Sequence, residues 1–343
     1  MAATIADVAH RAGVSTATVS RVLSGAAPSS AATRARVLEA AEALDYRPSG
    51  LGRALKRRAT FTIGLLVTDI GNPFFPQIVR AVEDEAHARG YGVVLGNASD
   101  DPDRELAYID LLLDRRVDGL IVASSRATRR HADRLAAARM PVVLLNSEAP
   151  AAGLHGIATD HRAGARLAIE HLLALGHRRV AHIGAPDALA AAAAPRREGL
   201  RDGMAAAGLD PASLVVIASD GTVEGGARAA GALLRQETQP TAVACYNDLV
   251  AIGVLRTLRQ AGIAVPGELS VVGFDDIELA AWTDPPLSTV RQPTGELGRR
   301  AVERIAAALA GSAPTPSLEI LSPSLVVRGT TAPPRGAIGQ GTT

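Results

Sequence analysis

Residues 4–25 read TIADVAHRAGVSTATVSRVLSG, two short stretches of helical period joined at a glycine and opening on hydroxyl side chains. Ile5, Val8, Ala9 and Ala12 recur at i, i+3, i+4 and i+7, which is one apolar face of a short helix. Thr4 precedes them as an N-cap, and Asp7 falls in the first turn, where the helix dipole favours an acid. Gly13 supplies the left-handed residue on which such a helix ends. Ser15 caps a second helix, TATVSRVL, whose Val19, Val22 and Leu23 can pack back on the first. Two short helices about a tight glycine-containing turn make a helix-turn-helix. A third segment, SAATRARVLEAAEALDY, is capped by Ser30 and offers Val37, Leu38, Ala41 and Leu44 to the same small core. The outer face of the second helix is left to Thr16, Ala17, Thr18, Ser20 and Arg21. These small, hydroxylic or cationic groups suit a DNA major groove. A bundle serving only as a cap or a protein contact would more often place Glu–Lys pairs there.

Charge is divided along the chain. Residues 1–60 hold eight Arg and Lys56 against Asp7, Glu39, Glu42 and Asp45, a net +5, which leaves −4 on the rest of a chain whose total is +1. A basic head on a mildly acidic body points the head at a polyanion, though solvated Arg-rich helices would give the same balance. The chain has 343 residues, of which 47% are hydrophobic, enough for more than one core. No apolar run approaches the roughly 20 residues that span a bilayer, and Asp7, His10 and Arg11 interrupt any secretory signal. Cys245 is the single cysteine, so no internal disulfide forms, which suits a cytoplasmic location. Its apolar neighbours mark it as a buried small hydrophobe rather than a nucleophile.

From Thr62 onward, β-branched or Leu-rich strands alternate with helix-length segments. TIGLLVT, GVVLGN, VDGLIVA and PVVLL form one series, with helices expected around Pro76–Arg89, Arg104–Arg115 and His131–Ala138. RVAHIG, TAVACY and LSVVGF form a second, with helices beginning near Arg162, Glu198, Val223, Asp248 and Glu278. Such alternation predicts two parallel-sheet α/β units with helices on both faces. Ligands of these sheets sit beyond the carboxyl ends of the strands, so the natural site is the cleft between the units. Asp69, Asn72, Phe74 and Phe75 follow the first strand, Asp160 and Arg162 follow the crossing into the second unit, and Asn247, Asp248, Asp275 and Asp276 follow later strands. Acceptors, amides and an aromatic surface are the chemistry of a sugar or nucleoside pocket. Asp160 and Asp248 can equally cap the helices they precede, and capping is the expected role for Asp248 and Asp276.

The stretch ATIADVAHRAGVSTATVSRVLSG, followed by TRARVLEAAEALDYRPSGLGRAL, resembles the DNA-binding head of the lactose-repressor (LacI) family of bacterial transcription regulators. The similarity continues in family order through IGNPFF, RVDGLIV, DHRAGARLA, LGHRRVAHIG, NDLVAIG, ELSVVGFDD and PPLSTVRQP. It implies a helix-turn-helix head (1–47), a hinge (48–60), and a periplasmic-binding-protein-like body (61–330) that binds effector and dimerises. The body would divide into an N-subdomain of about 61–158 plus 290–318 and a C-subdomain of about 159–289 plus 319–330, with a flexible tail at 331–343.

The same resemblance makes Thr16, Ala17 and Arg21 the base readers. Thr4, Ser15, Thr18, Ser20 and Ser30 become phosphate contacts, and Tyr46 a brace on the DNA backbone. In the hinge, RPSGLGRALKRRATF, Gly50 and Gly52 each cost about 1 kcal/mol of helix stability relative to Ala, so folding is expected only on DNA. There Leu55 would wedge into the minor groove beside Arg53. In the body the resemblance gives Arg196, Phe75, Asn247 and Asp275 as effector contacts, with Trp282 compensating for Gly221 and Thr294, which stand where relatives often carry aromatics.

The function implied is an operator-binding repressor governed by a small-molecule effector, a sugar or sugar-like metabolite, working as a homodimer on double-stranded DNA with no cofactor. A solute-binding protein would share the body, but the basic head argues against it. An enzyme finds no support in a P-loop, HExxH, metal spacing or dinucleotide fingerprint. His171 and His177 are expected to face solvent or end a helix.

Overall fold

The structure, a computed structural model, describes residues 3–24, 29–46, 59–115, 117–123, 129–146, 154–186, 192–312 and 315–335. The chain divides into two units, Met1–Phe61 and Thr62–Thr343.

Among its described residues the first unit has three helices, α1 (Ile5–Ala12), α2 (Thr16–Ser24) and α3 (Ala31–Ala43). Its local rules are those of the sequence. Thr4 and Asp7 form a reciprocal capping box on α1. Gly13, at φ +62°, takes the αL conformation and returns its N–H to the end of α1. Ser15 and Ser30 accept from Thr18 N and Thr33 N, each at 3.2 Å. Val8, Ala9, Ala12, Val19, Val22, Val37, Ala40 and Ala41 make the core, with Ile5, Leu23, Leu44 and Tyr46 packed at its edge. Leu38 departs from expectation: Ala40 and Ala41 fill the space beside Val37, and Leu38 turns outward, 47% exposed.

The second unit holds two six-stranded sheets. One runs β11-β5-β4-β3-β1-β2 and the other β12-β10-β9-β8-β6-β7. The first comprises β1 (Thr62–Val67), β2 (Gly92–Asn97), β3 (Gly119–Ala123), β4 (Val142–Leu145), β5 (His155–Thr159) and β11 (Leu318–Leu321). The second comprises β6 (Val180–Gly184), β7 (Val215–Ala218), β8 (Ala242–Cys245), β9 (Ser270–Asp275), β10 (Ser288–Arg291) and β12 (Ser324–Val326). Pairing is parallel except for the antiparallel edge β10–β12. Central strands such as β3, β8 and β9 are buried on both faces, which is why they read as unbroken apolar runs, whereas the edge strands β2 and β7 are partly exposed.

The helices of this unit are α4 (Phe74–Ala88), α5 (Pro102–Asp114), α6 (Arg129–Ala136), α7 (His161–Ala174), α8 (Ala193–Ala206), α9 (Val223–Leu233), α10 (Asp248–Gln260) and α11 (Thr294–Leu309). Among the described residues, no helix is long and apolar enough to cross a membrane. α8 begins five residues before the expected Glu198. The segment at Glu278–Trp282 is a single 3-10 turn rather than an α-helix, since Asp284-Pro285-Pro286 follows at once. α9 and α10 pack backbone to backbone because Gly226 and Gly253 face each other's chain: a Cβ on Gly253 would lie 2.0 Å from Val223 O.

The chain passes between the sheets three times, after β5, after β10 and between β11 and β12. The second crossing follows Arg291 and the third lies at 322–323, each a few residues beyond the expected 289/290 and 318/319 divisions. The expected tail is anchored over its first part: His171 Nε2 meets Thr331 Oγ1 at 3.0 Å, and His177 Nε2 lies 2.9 Å from Ala332 O. His177, expected to face solvent or end a helix, stands just past the end of α7, where its N–H bonds Leu172 O, and is buried between Thr241, Ser270 and this segment. Residues 336–343 lie outside the described residues.

Candidate functional site

In the first unit, Thr16, Ala17 and Arg21 are exposed on α2, while Thr18 and Ser20 are half-buried on its flank. Ser15 Oγ and Thr18 Oγ1 bond at 2.9 Å, and Arg21 folds back over the helix toward Thr18 Oγ1 and Ala17 O, both at 3.4 Å. Thr4, Ser15 and Ser30 each spend a side-chain oxygen on a helix cap, and all three are exposed. Tyr46 leans on the helical core. Arg53 and Leu55 lie outside the described residues.

In the second unit the carboxyl ends of both sheets converge on a cavity of about 160 Å³. Seven of the nine expected effector residues line it: Asp69, Asn72, Phe74, Phe75, Arg196, Asn247 and Asp275. Phe74 and Phe75 meet edge to face with centroids 5.3 Å apart. Each is placed by the turn after β1, where Asn72 Oδ1 accepts from Phe74 N at 3.1 Å.

The centre of the polar floor is Arg196 in the first turn of α8, only 4% exposed. Its NH1 donates to Tyr246 O, and its NH2 lies 3.4 Å from His161 Nδ1 and 3.5 Å from Asp275 Oδ1. The guanidinium carbon stands 3.7 Å from the Phe274 ring centroid and 4.7 Å from that of Tyr246, a stacked and desolvated cation. Burial, reinforced by the Arg196 charge, holds His161 well below its ordinary value, so the ring is neutral and its Nδ1 can accept. Arg196 Nε and His161 Nε2 remain buried without an acceptor among the described residues. Buried donors of this kind are normally met by water or ligand.

Asp275 accepts from Gln292 Nε2 at 2.6 Å, and Gln292 Oε1 accepts in turn from Asn146 Nδ2 at 3.2 Å. A continuous polar chain thus runs from the end of β4, through the second crossing, to β9 and α8. Burial pushes the Asp275 carboxyl up, while Arg196 and the Gln292 bond oppose it. Asp248, wholly buried beside it, is pushed up by burial and then by the Asp275 charge. Asp276 points away, held by Arg291 and Arg328 at 2.6 Å each.

Several expected roles change. Asp160 caps α7 through Ala163 N at 2.8 Å and does not line the cavity; its neighbour Arg162 is engaged by Asp202 on the outside. Trp282 is 80% exposed on its 3-10 turn, away from the cavity, and does not fill the space beside Gly221. Asp248 is not a cap. Asn247 caps α10 through Val250 N, which frees Asp248 to bond Ile277 N and Thr289 Oγ1. Asp276 is not a cap either. The sequence reading missed Gln292, Asn146, Tyr246, Asp100, Asp220 and Thr222 as lining residues. Asn146 directly follows PVVLL, and the strand-end rule applied one residue further would have found it.

Against known proteins, residues 4–49 match the description "Bacterial regulatory proteins, lacI family", and 169–331 match "Periplasmic binding protein-like domain". The chain is 37% identical over 333 residues to the HTH-type transcriptional regulator GalR of Salmonella typhimurium, covering 97% of each. Among solved structures, the Lac repressor dimer bound to operator and the anti-inducer ONPF is 31% identical with a TM-score of 0.88, over 97% of this chain and 100% of that one. The complex of the transcriptional regulator CelR with cellobiose is 30% identical with a TM-score of 0.73, over 96% and 99%.

Proposed function

The chain belongs to the lacI family of bacterial regulatory proteins, and on that footing we propose that α2 reads an operator while a sugar in the body cavity sets how tightly the operator is held. The protein is an effector-governed, DNA-binding regulator of transcription, not an enzyme. Thr16, Ala17 and Arg21 meet base edges, Arg21 through hydrogen bonds and Ala17 through shape or a thymine methyl. Thr4, Ser15, Thr18, Ser20 and Ser30 take phosphates, and Arg53 and Leu55 work at the minor groove. Two copies related by a two-fold axis face a near-palindromic site, and the protein works in the cytoplasm.

The observation that carries the effector half is the floor built by Arg196, Asp275 and Asn247 beside Phe75: buried donors and acceptors facing an aromatic edge between two sheets. A sugar offers the matching hydroxyls and an apolar ring face. The complex of CelR with cellobiose supports the same ligand class.

The test is a screen of genomic fragments retained by the full-length protein, repeated with neutral sugars present. A preferred fragment whose retention changes with one sugar, and whose preference is lost in Thr16→Ala/Arg21→Ala, is the expected result. Indifference to sequence overturns the regulator reading. A preference that no sugar alters overturns the effector assignment.

A further inference from the structure

Resting on the reading of the cavity as an effector site, we propose that it takes an uncharged sugar and rejects phosphate esters and acidic sugars. The charge of the lining is one-sided. Asp69, Asp100, Asp220 and Asp275 face the cavity, while Arg196 is its one cation among the described residues.

That cation is already committed. Arg196 pairs with Asp275, donates to Tyr246 O and His161, and has Phe274 and Tyr246 against its planar group. Of its five N–H donors three are spent in this way, which leaves the buried Nε–H, without a partner among the described residues, and one hydrogen of NH1. Single N–H donors suit hydroxyls. A phosphate needs several convergent donors or a bidentate fork. Asp220 is held ionised by Thr222 and then Arg228, its pKa lowered by those bonds.

Three of the helix N-termini on the cavity, the usual alternative for an anion, each give one N–H to the protein's own side chains, while the first turn of α8 has no side-chain cap. Asn72 takes Phe74 N, Thr222 takes Gly225 N, and Asn247 takes Val250 N. A dianion placed here would meet like charges, with no uncommitted cation among the described lining residues. A neutral polyol would find acceptors in Asp69 and Asp275, a donor in Arg196 Nε, and an apolar surface in Phe74 and Phe75.

Isothermal titration of the full-length protein tests this with glucose, ribose and cellobiose, each beside its phosphate ester and its acidic derivative. At least one neutral sugar is expected to bind, with its ester and acid about a hundredfold weaker or more. That ratio should narrow at high ionic strength. In Asp69→Asn/Asp100→Asn the ester should gain affinity relative to the sugar by about tenfold. An ester or acid that binds as tightly as its parent sugar overturns the charge inference and leaves the effector site standing. Silence across the whole panel overturns the sugar reading itself, and this inference with it.

Discussion

Removing the Arg196 guanidinium in Arg196→Met keeps the aliphatic stem of the side chain and deletes one half of a buried ion pair. Asp275 would remain buried with only Gln292 to satisfy it. Breaking such a pair from one side costs about 3–5 kcal/mol. The carboxyl has an escape, because it can take up a proton, which limits the loss to about 1.4 kcal/mol for each pH unit above its folded pKa. That pKa is already raised by burial, and Arg196 is first among the groups that lower it, so the variant carries it higher still. A carboxyl with a raised folded pKa binds a proton in the folded state at pH values where the unfolded chain has released it. Stability therefore falls as pH rises through that span, and the span is wider in the variant. His161 also narrows the deficit in acid, since loss of the Arg196 charge leaves its folded pKa less depressed and so lessens the variant's own loss of stability at low pH. The expected deficit is about 3 kcal/mol at neutral pH, shrinking by more than half near pH 5. Urea unfolding of the full-length protein followed by circular dichroism at several pH values measures it. The double variant Arg196→Met/Asp275→Asn should recover most of the neutral-pH loss. A single variant within about 1 kcal/mol of the parent at neutral pH, or a deficit indifferent to pH, would refute the pairing argument.

Burial drives the His182 pKa down to about 4. Stability of the body should therefore be full above the ordinary histidine value and fall by up to about 3 kcal/mol as pH drops from 6.5 toward 4; His182→Leu that leaves the acid limb unchanged would count against this. Ser30→Ala removes the α3 cap and should cost the three-helix unit about 1 kcal/mol in its own melting transition. Arg21→Ala should weaken binding to a preferred duplex by about 10- to 100-fold with a much smaller loss on random DNA, whereas equal losses would place Arg21 on phosphates alone. Gln292→Ala should bring the effector affinities of free and operator-bound protein toward equality, and an unchanged ratio would remove Gln292 from the coupling.

The head was legible nearly to the residue because its determinants are local. Thr4, Gly13, Ser15 and Ser30 act within four residues of where they stand, and the structure shows each doing so. The central strands were legible because burial on both faces writes an uninterrupted apolar run. The short edge strands β7, β11 and β12 pack on fewer faces and leave a weaker pattern. The cavity was legible as a place, since seven of the expected residues line it. It was less legible as a set of roles. Asn247 and Asp248 are both able to cap, and the choice is made by Ile277 and Thr289, which stand 29 and 41 residues away. Trp282 stood out in sequence by its chemistry alone, and a 3-10 turn carries it to the surface. The burial of His177 was not legible because its partners Thr241, Ser270 and Ala332 are distant in the chain, whereas Leu38 is turned outward by its near neighbours Ala40 and Ala41.

How a ligand in this cavity can matter at the operator turns on what holds the two sheets together. Three chain crossings fix their connection, and beside one of them Asn146, Gln292, Asp275 and Arg196 form a single line of polar contacts from one sheet to the other. A sugar hydroxyl placed at Asp275 competes for the carboxylate that Gln292 now uses, so occupancy bears directly on the link between the sheets. A ligand that binds both arrangements equally shifts nothing. Coupling between sites is typically about 1–3 kcal/mol, and one hydrogen bond contributes about 0.5–1.5 kcal/mol, or up to about 3 when a partner is charged. Exchange of one or two contacts in this line is therefore of the right size to set operator affinity. By reciprocity, the operator must change sugar affinity by the same factor.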